Sequence, residues 1–184
     1  MIPPEVLKAA ESIDGWMDRG ELEWLYENAL LMDSVVEVGS WKGRSAFALL
    51  SGCEGPVYCV DHFEGNPSER NHAHSDVNHM DIRTEFLKNC GHFENLRTIQ
   101  LPSELASKQF WDRSVDMVFI DGDHTAEAAL ADIEAWRGKP RKLLCGHDRN
   151  LSGGNWGGGV PEALKRSGLQ FKEGAGSIWY VEIE

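Results

Sequence analysis

The sequence predicts an α/β fold of three layers, in which helices cover both faces of a mostly parallel β-sheet and an antiparallel hairpin ends the chain. Five short apolar runs show little alternation, which is typical of parallel strands that are buried on both faces. Helical patterns separate these runs and indicate repeated β-α-β units. Near the C-terminus, two further runs flank the turn Gly174-Ala175-Gly176 and predict the hairpin.

Residues 1–32 predict a helical cover for the sheet, because apolar positions recur at mainly helical spacing with interruptions at Gly15 and Gly20. The predicted strands span residues 35–38, 57–60, 96–101, 117–120 and 142–145. The predicted helices span residues 45–50, 82–89, 103–110, 126–136 and 161–167, and the hairpin strands span residues 169–172 and 177–183. A chain of 184 residues is expected to form one domain, residues 1–184.

Composition narrows the possible partners. The formal net charge is -12, and no run of Lys or Arg is present. Nucleic acids and anionic membranes require a basic surface, so we expect neither, and a small neutral or cationic substrate fits better. No apolar run approaches the length of a membrane span, and the first residues do not resemble a signal peptide, so we expect a cytoplasmic protein. The four cysteines form no C-x-x-C pair and are expected to be buried thiols.

The first predicted strand leads into a glycine turn that suits a nucleotide-like cofactor. The strand contains Glu37, the turn contains Gly39 and Gly43, and a helix follows. Such a turn leaves backbone N–H groups free at the helix N-terminus, and glycine lets a ligand approach the backbone. The dinucleotide pattern G-x-G-x-x-G does not fit, because Trp41 and Arg44 occupy its second and third glycine positions. Taken alone, this segment also fits a simpler interpretation, in which the glycine only forms the turn and binds no ligand.

Polar residues end each of the five predicted strands. Ligands of open α/β sheets bind at the carboxyl ends of the strands, so these residues are the candidates for a site. In strand order they are Glu37, Gly39 and Ser40; Asp61 and His62; Ser103; Asp121, Asp123 and His124; and His147 and Asp148. An acid such as Asp61, about 20 residues after the glycine turn, can accept hydrogen bonds from ribose hydroxyls.

The ends of the fourth and fifth predicted strands suggest a divalent metal. Asp121, His147 and Asp148 bring carboxylates to one sheet edge, where they repel one another unless a proton or a metal is shared. Oxygen ligands suit Mg²⁺, and an added imidazole shifts the preference toward Mn²⁺ or a later metal. The alternative is that His147 and Asp148 cap a loop while Asp121 only positions the cofactor.

Residues 62–80 and 149–159 are candidate lid loops, because both follow strand ends and neither has an apolar periodicity. The first loop contains His72, His74 and His79, which lack the spacing of a metal site and are expected to be solvated. The second is rich in glycine and contains Trp156. The other tryptophans are expected to pack in the core, and Trp156 is the exception that we single out for a different role.

Four motifs together resemble one family across nearly the whole chain. They are GW at 15–16 with ELEWLY at 21–26, EVGSWKGRS at 37–45, IDGDHT at 120–125 with DIEAW at 132–136, and GHD at 146–148 with GV at 159–160. The family is the small class I S-adenosylmethionine-dependent methyltransferases related to macrocin O-methyltransferase and cephalosporin-hydroxylase-like proteins. The resemblance implies a Rossmann-like αβα fold with a seven-stranded sheet whose last strand is antiparallel.

The resemblance also implies roles for individual residues. The methionine part of the cofactor is expected at the glycine turn, the ribose at Asp61 and the adenine near Ser103. The predicted cofactor-binding residues are Glu37, Gly39, Ser40, Gly43, Ser45, Asp61, His62, Ser103 and Asp121. In relatives similar to catechol O-methyltransferase, Mg²⁺ is bound at the positions of Asp121, His147 and Asp148, although the histidine departs from the oxygen-only pattern. Ala126 stands where many members have tyrosine, so an acceptor contact is either missing here or supplied by a loop.

The predicted function is therefore methyl transfer from S-adenosylmethionine to a hydroxyl of a small-molecule acceptor. The predicted catalytic residues are Asp121, His124 and His147. Either histidine can take the hydroxyl proton, or a metal such as Mg²⁺ or Mn²⁺ can lower the pKa of the hydroxyl. The alternatives are a cofactor-binding protein without turnover and a metal-dependent hydrolase, which would leave Glu37, Gly39 and Asp61 unexplained. The acceptor itself is not readable from the sequence, and a homo-oligomer is possible.

Overall fold

A computed structural model describes residues 1–66, 74–150 and 158–184. The strands are β1 (Val35–Val38), β2 (Val57–Val60), β3 (Leu96–Ile99), β4 (Val115–Ile120), β5 (Pro140–Gly146), β6 (Lys172–Glu173) and β7 (Trp179–Glu182). The helices are α1 (Pro4–Ser12), α2 (Arg19–Ala29), α3 (Arg44–Gly52), α4 (Ile82–Cys90), α5 (Ser103–Ala106), α6 (Ala126–Trp136) and α7 (Gly159–Ser167).

The predicted fold class is confirmed. Within the described ranges, seven strands form one sheet in the order β3-β2-β1-β4-β5-β7-β6. Strands β1 to β5 are parallel, and β7 runs antiparallel to both β5 and β6. The strand order reverses between β1 and β4, and this switch opens a crevice at their carboxyl ends.

The sheet is buried between two apolar layers, as parallel strands require. On one face, helices α1 to α4 supply residues such as Leu22, Leu49 and Phe86. On the other, α6 and α7 supply residues such as Trp136 and Leu164. The four thiols lie in or beside these layers, free and buried, as predicted. In the described part of the chain, no helix is long and apolar enough to cross a membrane.

The predicted N-terminal helices are confirmed, and each begins at a recognisable signal. Proline occupies the first turn of α1, where its missing N–H costs nothing. A capping box begins α2: the Asp18 side chain accepts from Glu21 N, and the Glu21 side chain accepts from Asp18 N. The capping box holds the end of the loop between the helices, and this loop reaches the site described below.

Several predicted elements are shorter than expected. Strand β3 ends at Ile99 rather than at residue 101, because Leu101 N bonds to Ile99 O in a tight turn and Pro102 has no N–H to donate. The predicted helix over 103–110 divides into α5 and a 3₁₀ turn, Ser107–Gln109. The first hairpin strand begins at Lys172 rather than at residue 169, and it pairs with β7 through two residues only.

Candidate active site

A cavity of about 1090 Å³ opens at the carboxyl ends of β1, β2, β4 and β5. The register explains why residues from different strands meet there. Val38 pairs with both Val60 and Ile120, so the residues that follow these strands, Gly39, Asp61 and Asp121, lie side by side. All three line the cavity, together with the loop between α1 and α2. A cavity of this size is large enough for a cofactor-sized ligand.

The turn after β1 is built by backbone conformation. Gly39 has φ +86°, and a Cβ atom there would lie 2.0 Å from the carbonyl oxygen of Asp121. Gly43 has φ +97° and begins α3 without a side-chain cap, so no capping side chain occupies the first N–H groups of this helix. Trp41 also has a positive φ, +46°, and its N–H donates to Asp61 Oδ2 at 2.7 Å.

Beneath this turn lies the fully buried carboxyl group of Glu37. Its Oε1 accepts from Ser45 Oγ at 2.6 Å. Ser40 Oγ lies near the carboxyl without completing a hydrogen bond, and within the described residues neither Glu37 Oε2 nor Ser40 Oγ has a partner. Burial raises the pKa of Glu37 to about 7, although the hydrogen bond from Ser45 acts in the opposite direction and lowers it. The turn therefore contains unsatisfied buried polar atoms, which are uncommon in folded proteins.

The acid after β2 also shapes the turn. Asp61 Oδ2 accepts from Trp41 N, and Oδ1 accepts from Phe63 N at 2.6 Å. Each carboxylate oxygen retains a second lone pair, so Asp61 can still accept from a ligand. The neighbouring His62 lines the cavity too, and its Nδ1 accepts from Glu64 N at 3.0 Å.

The wall near α5 combines apolar residues with a buried carboxyl group. Ser103 Oγ accepts from Trp136 Nε1 at 2.8 Å. Asp132, on α6, lies beside Ser103 and lines the cavity. Burial raises the pKa of Asp132 to about 6, although the hydrogen bond from Ser103 acts in the opposite direction and lowers it.

A cluster of charged side chains lies at the ends of β4 and β5. Asp121, His124 and Asp148 each offer one ligand atom, and these atoms all lie within 4.8 Å of one another. His124 Nε2 is 2.9 Å from Asp148 Oδ2 and 4.0 Å from Asp121 Oδ1. Two carboxylates and one imidazole at this spacing suit a divalent cation of the Mg²⁺ or Mn²⁺ type.

His147 is surrounded by carboxylates. Its Nε2 is 2.9 Å from Glu21 Oε1, and its Nδ1 is 3.3 Å from Asp148 Oδ1 and 3.5 Å from Asp121 Oδ1. Burial lowers the pKa of His147, but these three carboxylates outweigh it and hold that pKa well above its usual range. An imidazolium has no lone pair for a metal or a proton. This arrangement favours His124, one of the two predicted bases, as the base. It also favours His124 as a ligand, whereas the predicted metal set was Asp121, His147 and Asp148.

Glu21 completes this cluster from the N-terminal helices. Its Oε1 accepts from Ser177 N at 2.8 Å as well as contacting His147. Burial raises the pKa of Glu21, but the hydrogen bond and charge of His147 outweigh it and lower the pKa to about 2. Gly176 makes room for this carboxylate, since a Cβ there would lie 2.2 Å from Glu21 Oε1.

Aromatic rings line part of the cavity, and among them His74 is buried, so the expectation that it is solvated is wrong. The ring centroids of Trp41 and His74 are 4.4 Å apart in a stacked arrangement, and Trp16 lies 5.6 Å from His74. Next to them, the buried ammonium of Lys42 pairs with Asp14 at 2.6 Å and with Asp76. These contacts join the α1–α2 loop and the segment after residue 74 to the glycine turn.

The family model described as Methyltransferase domain matches residues 36–148. The chain belongs to this methyltransferase family. The expectation of a class I S-adenosylmethionine-dependent methyltransferase is thereby confirmed, while the relation to the macrocin and cephalosporin-hydroxylase-like groups stays a prediction. The matched range contains the glycine turn, Asp61 and the cluster at the ends of β4 and β5, but not Glu21.

Solved structures of other methyltransferases share the fold of this methyltransferase. The S-adenosylhomocysteine-bound PaMTH1 of Podospora anserina is 15% identical, with 100% of this chain and 89% of that chain covered and a TM-score of 0.67. The O-methyltransferase of Bacillus cereus, in complex with S-adenosylhomocysteine, is 15% identical, with 100% and 93% covered and a TM-score of 0.61. TomG of Streptomyces achromogenes, in complex with S-adenosylmethionine, is 13% identical, with 100% and 92% covered and a TM-score of 0.59.

The methyltransferase brings most of the predicted site residues to one cavity. Among the predicted cofactor-binding residues, Glu37 and Gly43 do not line it. Glu37 lies beneath the turn, and Gly43 packs against Cys90, whose Sγ would be 2.6 Å from an added Cβ. Among the predicted lid residues, His72 and Trp156 lie outside the described part of the chain.

Four residues that shape the site stand in the motifs of the resemblance, but sequence reasoning assigned them no role: Glu21, Trp16, Lys42 and Asp132. For three of them the contacts join distant segments, and no local pattern signals these contacts. Asp132 is different, because it sits on the buried side of α6 among Ala129, Ile133 and Trp136. A charged residue on an apolar helix face is a signal that can be found in the sequence.

Proposed function

We propose that this methyltransferase transfers a methyl group from S-adenosylmethionine to a hydroxyl of a small-molecule acceptor. The observation that carries this proposal is the single cavity that joins the glycine turn to the cluster of Asp121, His124 and Asp148. The turn provides a place for the cofactor, and the cluster provides groups that act on a hydroxyl.

The glycine turn has the features that a zwitterionic methionine group requires. Ser40 Oγ is a buried hydroxyl without a partner in the described residues, and α3 begins without a side-chain cap. Backbone N–H groups at such a helix start favour a carboxylate. Asp61 retains lone pairs for ribose hydroxyls. When bound, S-adenosylmethionine supplies the methyl group on its sulfonium centre.

His124 is the proposed base for the acceptor hydroxyl. Its Nε2 lies 2.9 Å from Asp148 Oδ2, so the carboxylate stabilises the imidazolium that forms when the ring accepts a proton. Aromatic rings of Trp16, Trp41 and His74 line the same cavity as His124.

Deprotonation by His124 is one mode of activating the hydroxyl, the base mode. A second, the metal mode, uses a divalent metal bound by Asp121, His124 and Asp148, whose ligand atoms converge. A metal of the Mg²⁺ or Mn²⁺ type would lower the pKa of a coordinated hydroxyl. In that mode His124 is a ligand and does not take the proton. A chelator should abolish turnover in the metal mode and leave it unchanged in the base mode.

The charge of the cavity wall favours a neutral or cationic acceptor. Acidic side chains predominate on the wall, and among the described residues Arg44 is its one Lys or Arg side chain. The Arg44 guanidinium is occupied, because it donates to the carbonyl oxygens of Met17, Ile13 and Glu11. The imidazolium of His147 is compensated by Glu21, Asp121 and Asp148, so an anionic acceptor would meet net repulsion from the acidic wall.

The first test is calorimetry of S-adenosylmethionine and S-adenosylhomocysteine binding to the purified protein, with and without EDTA. We expect binding by the wild type and affinity about tenfold lower for Asp61→Ala, since a hydrogen bond to a charged group is lost. Asp33→Asn, an exposed substitution outside the cavity, serves as control. Absence of binding by the wild type under every condition refutes the proposed function.

The second test measures release of S-adenosylhomocysteine with a panel of hydroxyl compounds that includes phenols and sugars. Asp121→Asn should reduce turnover by at least about 100-fold. Asp121 is a ligand in the metal mode, and in the base mode its charge, 4.0 Å from His124 Nε2, helps to stabilise the imidazolium that forms. Loss of turnover in EDTA, restored by Mg²⁺ or Mn²⁺, supports the metal mode. Full turnover in EDTA, combined with loss in His124→Ala, supports the base mode. Unchanged turnover in Asp121→Asn contradicts the site.

A further inference from the structure

Glu21 is a buried carboxylate that takes no direct part in the proposed methyl transfer. It lies on α2, is 4% exposed and precedes the range that the family model matches. Besides capping its own helix, it contacts His147, which follows β5, and Ser177, which precedes β7. Burying a carboxylate is costly unless donors compensate it, so these two contacts show which part of the site the group holds.

The contact with His147 begins a row of side chains that ends at the proposed base. Glu21 Oε1 lies 2.9 Å from His147 Nε2, and His147 Nδ1 lies 3.3 Å from Asp148 Oδ1. The other oxygen of that carboxylate, Asp148 Oδ2, lies 2.9 Å from His124 Nε2. Carboxylates and imidazoles alternate along this row, so the ring of His147 transmits the position of Glu21 to Asp148.

The contact with Ser177 reaches the same carboxylate through the backbone. Asp148 has φ +62°, a left-handed conformation that is costly outside glycine and persists only where the surroundings enforce it. Asp148 N donates to Ser177 Oγ at 3.3 Å. Ser177 in turn donates to Glu21 Oε1, from its N at 2.8 Å and from its Oγ at 3.1 Å. Glu21 therefore anchors both the side chain and the backbone of Asp148.

We propose that Glu21 is a positioning residue that holds Asp148, and through it His124, in the geometry needed to act on the acceptor hydroxyl. This inference rests on the proposed function, because it takes Asp148 and His124 as groups that act there. It applies to both modes, since Asp148 orients the base in one and is a ligand in the other. Reaction depends closely on the placement of such groups, so a small displacement lowers the rate.

The alternative is that Glu21 serves stability alone, as a counter-charge for His147. In that case its loss lowers the free energy of unfolding but does not move His124 in the folded molecule. Ser177→Ala separates the two interpretations, because it retains every charge but removes the hydroxyl that bridges Glu21 and Asp148.

The experiment is NMR of protein with isotope-labelled histidine rings, in EDTA, with wild type, Glu21→Ala, Glu21→Gln, Ser177→Ala and Glu23→Ala. A ring N–H of His124 that donates to Asp148 should give a downfield proton resonance, because the acceptor is charged, and its absence in His124→Gln identifies it. We expect this resonance to shift or vanish in Glu21→Ala and Ser177→Ala. Glu21→Gln should retain it, since its amide oxygen accepts the same hydrogen bonds. Glu23→Ala, on the exposed side of the same helix, should leave it unchanged.

Turnover and cofactor binding complete the experiment. With an acceptor from the panel described above, kcat should fall about tenfold in Ser177→Ala, because the reacting groups are displaced. The affinity for S-adenosylhomocysteine should stay within about twofold of the wild type, since the glycine turn and Asp61 are unaltered.

Four results overturn the inference. They are a wild-type spectrum without a resonance that His124→Gln removes, a resonance unchanged in both Glu21→Ala and Ser177→Ala, an equal change in Glu23→Ala, and an unchanged kcat in Ser177→Ala. If Glu21→Ala does not fold, Ser177→Ala and Glu21→Gln provide the test. Absence of S-adenosylhomocysteine binding by the wild type refutes the proposed function itself, whereas binding with an unchanged resonance refutes only the role of Glu21.

Discussion

The glycine turn after β1 and the charged cluster at the ends of β4 and β5 line the same cavity, but they are constructed differently. The turn depends on backbone conformation, with positive φ at Gly39, Trp41 and Gly43. The carboxyl group beneath it, that of Glu37, has no cationic partner among the described residues. The cluster depends on side chains of opposite charge, which compensate one another around His147. A short stretch of sequence is sufficient to specify a site that depends on backbone conformation. A site that depends on charge pairs forms only when distant segments of the chain come together.

The two regions also respond to pH in opposite directions. The folded-state pKa of Glu37 is raised, so between about 4.5 and 7 the native state binds more protons than the unfolded state, and the free energy of unfolding falls as pH rises. The pKa of Glu21 is lowered to about 2, so its contribution is present above 4.5 and is lost as the pH falls. Neutral pH therefore stabilises the cluster and destabilises the turn.

The largest expected effect is the loss of the Glu21 carboxylate from the charged cluster. Glu21→Ala removes a buried partner of His147 and two hydrogen bonds to Ser177. We expect the free energy of unfolding at pH 7 to fall by about 3–5 kcal/mol, because a buried imidazolium loses a counter-charge. Urea denaturation followed by circular dichroism measures this change.

The matched control is Glu23→Ala on the same helix. Glu23 forms an exposed ion pair with Arg19 at 3.6 Å, and the loss of such a pair costs less than about 1 kcal/mol. Equal effects of the two substitutions would mean that Glu21 does not compensate the charged cluster.

The next effect concerns the turn and its pH dependence. Glu37→Gln removes the titrating carboxyl but retains an oxygen that can accept from Ser45. Relative to the wild type, this variant should gain about 3 kcal/mol of stability as the pH rises from 4.5 to 7 in the absence of ligand, since the raised pKa no longer penalises the folded state. Denaturation curves at several pH values measure the difference. A difference that stays constant with pH contradicts the assigned shift.

The smallest effect separates backbone strain from close packing at the turn. Gly39→Ala and Gly168→Ala both place a side chain at positive φ, but a Cβ at Gly168 meets nothing within 4 Å. We expect Gly39→Ala to cost about 2 kcal/mol more than Gly168→Ala, because the backbone of Asp121 must move. Thermal denaturation measures both variants, and calorimetry should find cofactor binding lost only in Gly39→Ala. Equal costs would show that the contact with Asp121 is easily relieved.

Much of the fold was predictable from the sequence. The apolar runs predicted β1 and β2 at the observed boundaries, and the pattern over 126–136 predicted α6 at its observed boundaries. The breaks at β3 and in the 103–110 helix were not predicted, because single hydrogen bonds near Pro102 decide them. In the site, the residues after the strands were predicted, because parallel strands bring their carboxyl ends together.

By itself, the sequence determined the strands, the helices that cover them, the glycine turn and the set of polar residues at the sheet edge. Periodicity and turn chemistry are local, so neighbouring residues are sufficient to specify them. Only the tertiary structure decided that Glu21 contacts His147, that His124 meets Asp121 and Asp148, and that Asp132 faces the cavity. These contacts join segments up to 126 residues apart, and the docking of helices onto the sheet sets which charges meet and which protonation states they adopt.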